Sequence, residues 1–517
     1  MADKTNTTTE EKIEGRFVVE FPLITEKYQE DYLEKCFRFG QMIYNQCVTK
    51  SRKNYNKMTH SPEYRGIKGE LNQIYEKRRE EKKTAEENGT AVEETEGKTR
   101  TRKTPREKEL YAELNKLYRE YGFTEFGMID LARLQSKPWK KYIDSTAAAS
   151  LGKNLWTAWN RFLFKDGRRI AYKKWENFTS LAGVSNKTGI RVLFNYTSKH
   201  WHGAKPALKW KKLEIPIEIN PNKYYEMMAI ENEIAFNRII RKQIRGKMRY
   251  YVQILFKGKA PIKIDKETGE VRSLGKGTVG VYIGLNKIAA VSDTEVYYKA
   301  LSPVLQEFED RKAELNRAMD RSRRAMNPDN YNEDGTIKKQ GSKKVYWVKS
   351  NHYIKLQNEL KEIQRKQAQI RKLDHYKTIN DMLHMGDSFI IHIGDTKFLQ
   401  EKKPLEQRED GTYKSRQHFG KQIAYSAPAM LYEMLVKKLE CQYGGTVLKA
   451  SPKIKVYDYD HKTGKHDRKI EGSKGNSLYN AFLLKCSDGA EINQQLCEKD
   501  YDNFLALCEK YEETSEQ

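Results

Sequence analysis

The chain opens on an alternating run, Arg16-Phe17-Val18-Val19-Glu20-Phe21-Pro22-Leu23, which predicts a strand. From residue 26 the apolar positions widen to helical spacing through Cys36, Phe39, Met42, Ile43 and Cys47. Residues 77–106 are Glu, Lys, Thr and Arg with almost no apolar side chain, a composition that cannot offset the entropy of ordering, so an insertion loop between helices is expected. Helical periodicity returns over 107–121 and 144–164, where Leu151, Leu155, Trp159 and Leu163 share one face. Over 191–257 the pattern shortens to strands with turn signals, among them Ala207-Leu208-Lys209-Trp210, Leu213-Glu214-Ile215-Pro216-Ile217 and Met248-Arg249-Tyr250-Tyr251-Val252. A β-barrel completed by the N-terminal strand fits this layout.

Beyond Gly277, residues 278–291 read as one buried strand. A charged helical region over 303–385 follows, then a strand at 389–393, a helix over 425–443, a strand at 446–450 and a last helix ending near 511. Strands alternating with helices indicate an α/β domain. With 517 residues the chain exceeds a single-core size, so two or three domains are expected.

Charge narrows the function. Lys and Arg number 96 against 71 Asp and Glu, a net +25 spread along the chain, and 32 Tyr and 7 Trp stand among them. That mixture favours a nucleic-acid partner, with cations on phosphates and rings beside them. The six cysteines include no CxxC pair, so they predict core thiols and no zinc or redox site. Neither a signal-peptide core nor a run of about eighteen apolar residues is found, which points to a cytoplasmic, reduced protein with no membrane partner.

Several constellations are candidate nucleic-acid contacts. Residues 165–175 place five cations, among them Arg168, Arg169, Lys173 and Lys174, around a turn with Tyr172 and Trp175. Lys209, Trp210 and Lys211 repeat the theme, as do Arg238, Arg241, Lys242 and Arg245. Residues 311–377 predict a basic helical hairpin broken by Asn327-Pro328-Asp329-Asn330, with Arg321, Arg323 and Arg324 before the turn and Lys338, Lys339, Lys343 and Lys344 after it. The stretch 355–372 alone reads as a solvated charged helix.

The order of parts resembles transposon-encoded TnpB proteins and the miniature type V CRISPR effectors, RNA-guided proteins with a RuvC-like nuclease domain. The resemblance covers about residues 16–484. Its markers are Tyr44-Asn45, Gly280-Val281-Tyr282-Ile283-Gly284-Leu285, Ser322-Arg323-Arg324 with Asn327-Pro328-Asp329-Asn330-Tyr331, His418-Phe419-Gly420-Lys421, Ala427-Pro428-Ala429-Met430 and Leu478-Tyr479-Asn480-Ala481-Phe482. It implies an α+β multidomain chain: a disordered 1–15, a first wedge strand in 16–25, a helical recognition domain over 26–190 inserted in a wedge β-barrel that resumes at 191–275, an RNase H-like (RuvC-like) domain over 276–484, and a C-terminal helix and tail in 485–517. The implied partners are a structured guide RNA and double-stranded DNA bearing a short flanking motif, with Asn45, Lys50, Arg52 and Lys53 as candidate motif readers and a further protein partner at the target as an added expectation. When bound to its target such a protein would sit at the nucleoid of a prokaryotic cell.

The family cuts DNA with three carboxylates that hold two magnesium ions. The matching positions here are Tyr282, Gly394 and Ser477, so no catalytic residue and no metal are expected, and residues 453–470, which lack cysteine, predict a metal-free hairpin in place of a zinc ribbon. Within that hairpin His461 and His466 read as exposed turn residues. The expectation is a nuclease-inactive, RNA-guided DNA-binding protein that represses transcription. Two other readings stay open: a nuclease using displaced acids near those positions (Asp293, Asp395 or Asp488), and a platform that recruits a transposition or transcription partner.

Overall fold

The computed structural model describes residues 15–87, 104–165, 167–264, 268–338, 345–393, 420–451, 454–468 and 473–516. They form two compact units, one spanning Arg16–Gln243 with Met248–Gly258 and the other running from Lys259.

The first unit opens with strand β1 (Arg16–Pro22) and helix α1 (Lys27–Thr59), where the Glu26 amide donates to the Gln29 side chain at 2.9 Å and starts the helix. Helices α2 (Pro62–Glu87), α3 (Pro105–Glu120), α4 (Glu125–Ser136) and α5 (Ser145–Phe164) follow. The insertion expected from residue 77 is helical as far as Glu87, and 88–103 lie outside the described residues. Part of the reason is Glu107: it closes a capping box with Thr104 and also accepts from both Arg78 terminal nitrogens, at 2.9 and 2.5 Å, so polar residues of α2 gain a buried partner. Leu151, Leu155 and Trp159 of α5 are buried as their spacing predicts, and the Trp159 indole donates to Ser51 at 3.0 Å.

The expected closed barrel is not what the strands make. β1, β2 (Ser180–Ala182), β6 (Ile234–Ile244) and β7 (Lys247–Lys257) form a sheet ordered β1-β7-β6-β2, while β3 (Arg191–Thr197), β4 (Ala204–Trp210) and β5 (Leu213–Pro216) form a separate three-stranded sheet. A single bridge, Leu23 to Ile217, and neighbouring backbone bonds join them. Pro206 and Pro216 bring no N–H to their ladders, and β2 is only three residues long, so pairing stops before closure. Helix α6 (Tyr224–Ile230) precedes β6.

In the second unit β8 (Thr278–Ile283), β9 (Lys287–Val291) and β10 (Val296–Ala300) make an antiparallel meander. The single strand expected over 278–291 is therefore a hairpin, turned at Gly284-Leu285-Asn286 where the Gly284 amide donates to the Lys287 carbonyl at 2.9 Å. Helices α7 (Glu309–Met326) and α8 (Asn351–Met382) form the expected hairpin, tied by Arg311 to Glu359 at 2.7 Å. Strand β11 (Ser388–Ile393) lies parallel to β8, and β12 (Thr446–Lys449) lies parallel to β11, giving the order β10-β9-β8-β11-β12. The helix expected over 425–443 is broken into α9 (Gly420–Ser426) and α10 (Pro428–Lys438), because Pro428 bars its predecessor from the right-handed helix and Ala427 turns left-handed at φ 41°. A π-helical turn, Leu439–Tyr443, ends it.

Helix α11 (Ser473–Lys485) crosses directly over β8, and α12 (Gln494–Glu516) packs outside it. Gly280 is what permits the crossing: a Cβ there would fall 2.0 Å from the Ala481 carbonyl oxygen and 2.3 Å from the Lys485 nitrogen. Among the cysteines, Cys36, Cys47, Cys486 and Cys497 are buried, Cys508 is half-buried and Cys441 is exposed.

Candidate functional site

Parallel pairing of β8 with β11 sets Tyr282 beside His392 near the C-terminal ends of both strands. Their rings stack nearly flat, 6.0 Å apart with an interplanar angle of 9°, and Tyr457 closes edge-on against both at 5.8 and 5.9 Å. Tyr282 is only 9% exposed, and burial holds its phenol well above its ordinary pKa, so it stays neutral. Ser477 is buried on α11, one turn before Asn480.

Arg468 completes the cluster. Its guanidinium donates to the Tyr459 carbonyl at 3.1 Å and to the Asn476 and Asn480 side chains at 3.2 and 2.8 Å, and it lies 4.4 Å over the Tyr479 ring. His461, expected at the surface, is instead buried, with its Nδ1 bonded to the Tyr479 hydroxyl and its ring 4.6 Å from Tyr501. His466 is exposed as expected.

The magnesium pair that the resemblance implies does not fit these donors. A hard divalent cation takes carboxylate, carbonyl and water oxygens, whereas the described positions offer a neutral phenol, an imidazole and a hydroxyl, and the charge among them is a guanidinium. Gly394 and Asp395 lie outside the described residues. The other displaced acids have structural partners: Asp293 accepts from buried Lys485 at 2.6 Å, which also reaches Asp500 at 2.7 Å, and Asp488 caps the turn before α12 by accepting from the Ala490 and Glu491 amides.

In the first unit the basic and aromatic segments divide into buried and exposed members. Trp210 is fully buried and its indole donates to Asp144, which already caps α5 through the Ala147 amide, so this ring cannot stack on a base. Arg241 is 4% exposed, bonded to the Phe178 and Trp175 carbonyls, and sits 3.4 Å over the Trp175 ring. Both leave the set of candidate contacts, for one reason: each satisfies a buried acceptor that only a distant segment supplies. Lys209 serves Glu214 and Tyr196, and Lys242 pairs with Glu20. Asn45 grips the Lys173 backbone through both its amide and carbonyl, at 2.9 and 3.0 Å, while Arg52 bonds the Ile170 carbonyl.

These clamps leave a surface groove of about 490 Å³ along α1, lined by Arg38, Gln41, Asn45, Thr49, Tyr172 and Trp175 among others. Lys50, Lys53, Arg168, Arg169, Lys174 and Lys211 are exposed, as is Arg245 at the left-handed turn between β6 and β7, whereas Arg238 is half-buried. On the helical hairpin Arg321, Arg324 and Lys338 are exposed and Arg323 lies 5.1 Å over Trp347; Arg323 and Arg324 share Asp320. Lys339, Lys343 and Lys344 lie outside the described residues.

Sequence reasoning did not single out His392, Tyr457 or Arg468, which converge from a strand and a hairpin, nor Arg38 and Gln41 of α1. The available signal was periodicity: Arg38, Gln41 and Asn45 stand at helical spacing on one face.

No protein-family model matches the chain, and no curated protein matches it. Solved structures to which it is similar include the cryo-EM structure of a Cas12f1–sgRNA–target DNA complex, at 10% identity over 92% of this chain and 99% of that one with a TM-score of 0.41. Another is a CRISPR–Cas12f ternary complex, at 12% identity over 91% and 87% with a TM-score of 0.23. Among the described residues no helix is long and apolar enough to cross a membrane.

Proposed function

We propose that this chain is a nuclease-inactive RNA-guided DNA-binding protein, which carries a structured RNA to complementary double-stranded DNA and represses transcription by occupying it. The observation that carries the reading is the packed stack of Tyr282, His392 and Tyr457, standing where the resemblance puts the first metal-binding carboxylate. Support also comes from the sheet order β10-β9-β8-β11-β12, a meander followed by two parallel strands as in RNase H-like sheets, and from Ser477 on the helix that crosses it. The net charge of +25 suits the phosphates of an RNA and a DNA together.

In this reading base pairing supplies sequence specificity, and the protein grips the A-form heteroduplex and reads a short flanking motif. The groove along α1 is the proposed place for that motif, since the exposed Gln46 carboxamide and Arg38 guanidinium that line it match the donor and acceptor pattern of base edges. Asp293 is engaged by Lys485, so the displaced-acid reading gains nothing from it.

The test is a promoter reporter in cells expressing the protein with its RNA. Repression should follow the guide when the guide is changed to match another promoter. Repression that ignores guide sequence would contradict the proposal.

A further inference from the structure

The three-stranded sheet of the first unit has a face that none of the constellations above includes as a whole. Between Glu176 and Glu214 the chain runs for 37 residues without an Asp or Glu, where its overall content of 71 in 517 would place about five. The same stretch carries seven Lys and Arg, and β3 and β4 lie inside it.

Alternation along each strand sorts this sheet into two faces. Val192, Leu208, Trp210 and Ile215 share one and are buried, whereas Arg191, Lys205, Lys209 and Glu214 share the other and keep part of their surface exposed. The register brings a ring to the second face. Lys205 lies opposite Tyr196 and Ala207 opposite Leu193, so three steps along β3 match two along β4, and this bulge turns the half-buried Tyr196 onto the side of the cations.

Glu214 is the acid of that face, and its oxygens are already engaged: they accept from Tyr196 and Ser198, both at 2.5 Å, and from Lys209 at 3.1 Å. Ser198 also accepts from the His200 amide at 3.2 Å, which fixes the start of the loop between β3 and β4. Among the described residues, the side chains of Arg191, Lys199 and Lys205 have no hydrogen bond or ion pair. Arg191 stands opposite Lys209, and Lys205 is four residues further back along β4, about 14 Å at 3.4 Å per residue, with Lys199 beyond it in the loop. Cations free of acids, on a face that also presents a ring, are the composition that holds a single strand, with phosphates on the cations and a base or ribose against the ring.

We propose that Arg191, Tyr196, Lys199 and Lys205 form a binding surface for a single nucleic-acid strand along the β3–β4 hairpin, contacting its phosphodiester backbone. This rests on the nucleic-acid-binding reading above and adds to it a place on the first unit, apart from the groove along α1. Phosphate is common to RNA and DNA, so the two polymers are compared directly.

The experiment uses the full chain stripped of co-purified RNA, with fluorescent single-stranded RNA and DNA of about 20 nucleotides and the same sequence, titrated across a range of salt. Each phosphate neutralised contributes about 0.7 to the slope of log affinity against log salt for single strands, so R191Q/K199Q/K205Q should lose about two from the slope for both polymers. A control, K355Q/K361Q/K366Q on the solvated face of α8, should lose much less. K205Q alone should lose about a third as much as the triple variant, which keeps the test open if the triple variant misfolds. With 4-thiouridine placed along the RNA, ultraviolet crosslinks on the wild-type chain should include the peptide that carries Tyr196. An unchanged slope in R191Q/K199Q/K205Q, equal losses in the control, or crosslinks that never fall within residues 191–205 would overturn the site while leaving the nucleic-acid reading intact. A loss confined to RNA would also overturn it, by placing the contact on the 2′-hydroxyl. If the wild-type chain binds neither polymer, the underlying reading falls with the site.

Discussion

At the C-terminal ends of β8 and β11, the five-stranded sheet of the second unit is packed with rings that satisfy one another; along α1 in the first unit, basic and aromatic side chains line an open groove. The first place is where the resemblance leads one to look for chemistry, and its residues have settled into a core: Tyr282 and Tyr479 belong to the same apolar cluster as Phe482 and Phe504. In the second place Asn45 and Arg52 hold the neighbouring 170–173 segment by its backbone, and Arg38, Gln46 and Thr49 stay exposed beside it. The difference is between a cluster whose polar groups are met from within and a surface that leaves cations and carboxamides exposed.

The largest effect expected from this contrast is at Tyr282. Tyr282→Asp removes a stacked ring and buries a carboxylate, so stability should fall by about 3–5 kcal/mol in urea titrations. A loss under about 1 kcal/mol would mean that the cluster is not a packed core. Next comes Arg468→Met, which strips hydrogen bonds from three acceptors and should cost about 2 kcal/mol by the same measurement.

Two groups of the second unit should also respond to pH in separate windows. Burial holds the His461 imidazole below its ordinary value, so the folded chain binds fewer protons than the unfolded one, and stability should fall as pH drops below about 6.5. Lys438 is likewise less protonated when folded, so stability should rise as pH climbs from about 8 toward 10.5. Urea midpoints measured across both windows test this, and Lys438→Gln should flatten the alkaline rise alone. The smallest effect is that of Lys263→Gln, which should leave stability within about 0.5 kcal/mol of wild type or raise it.

Much of this contrast was legible in the sequence at one end and not at the other. Tyr282 stood out because Val279-Gly280-Val281 and Ile283-Gly284 frame it, and Gly280 proves to be the point where α11 meets the strand. The turn at Gly284-Leu285-Asn286 was present as a signal, but the apolar run around it masked the hairpin. His392, Tyr457 and Arg468 could not be joined by any local pattern, since they meet only through parallel pairing and a hairpin fold. The same holds for Trp210, whose burial depends on the cap of α5 far earlier in the chain, and for His461, whose neighbour Tyr479 lies on α11. Alternation identified the strands of the first unit without indicating that their pairing would stop short of a barrel.

The central claim is most directly tested by incubating the protein, purified with its RNA, with a matched DNA duplex and magnesium, then resolving the DNA on native and denaturing gels. The account predicts a guide-dependent shift of the duplex with both strands intact. Guide-dependent cut ends that accumulate with magnesium would contradict it.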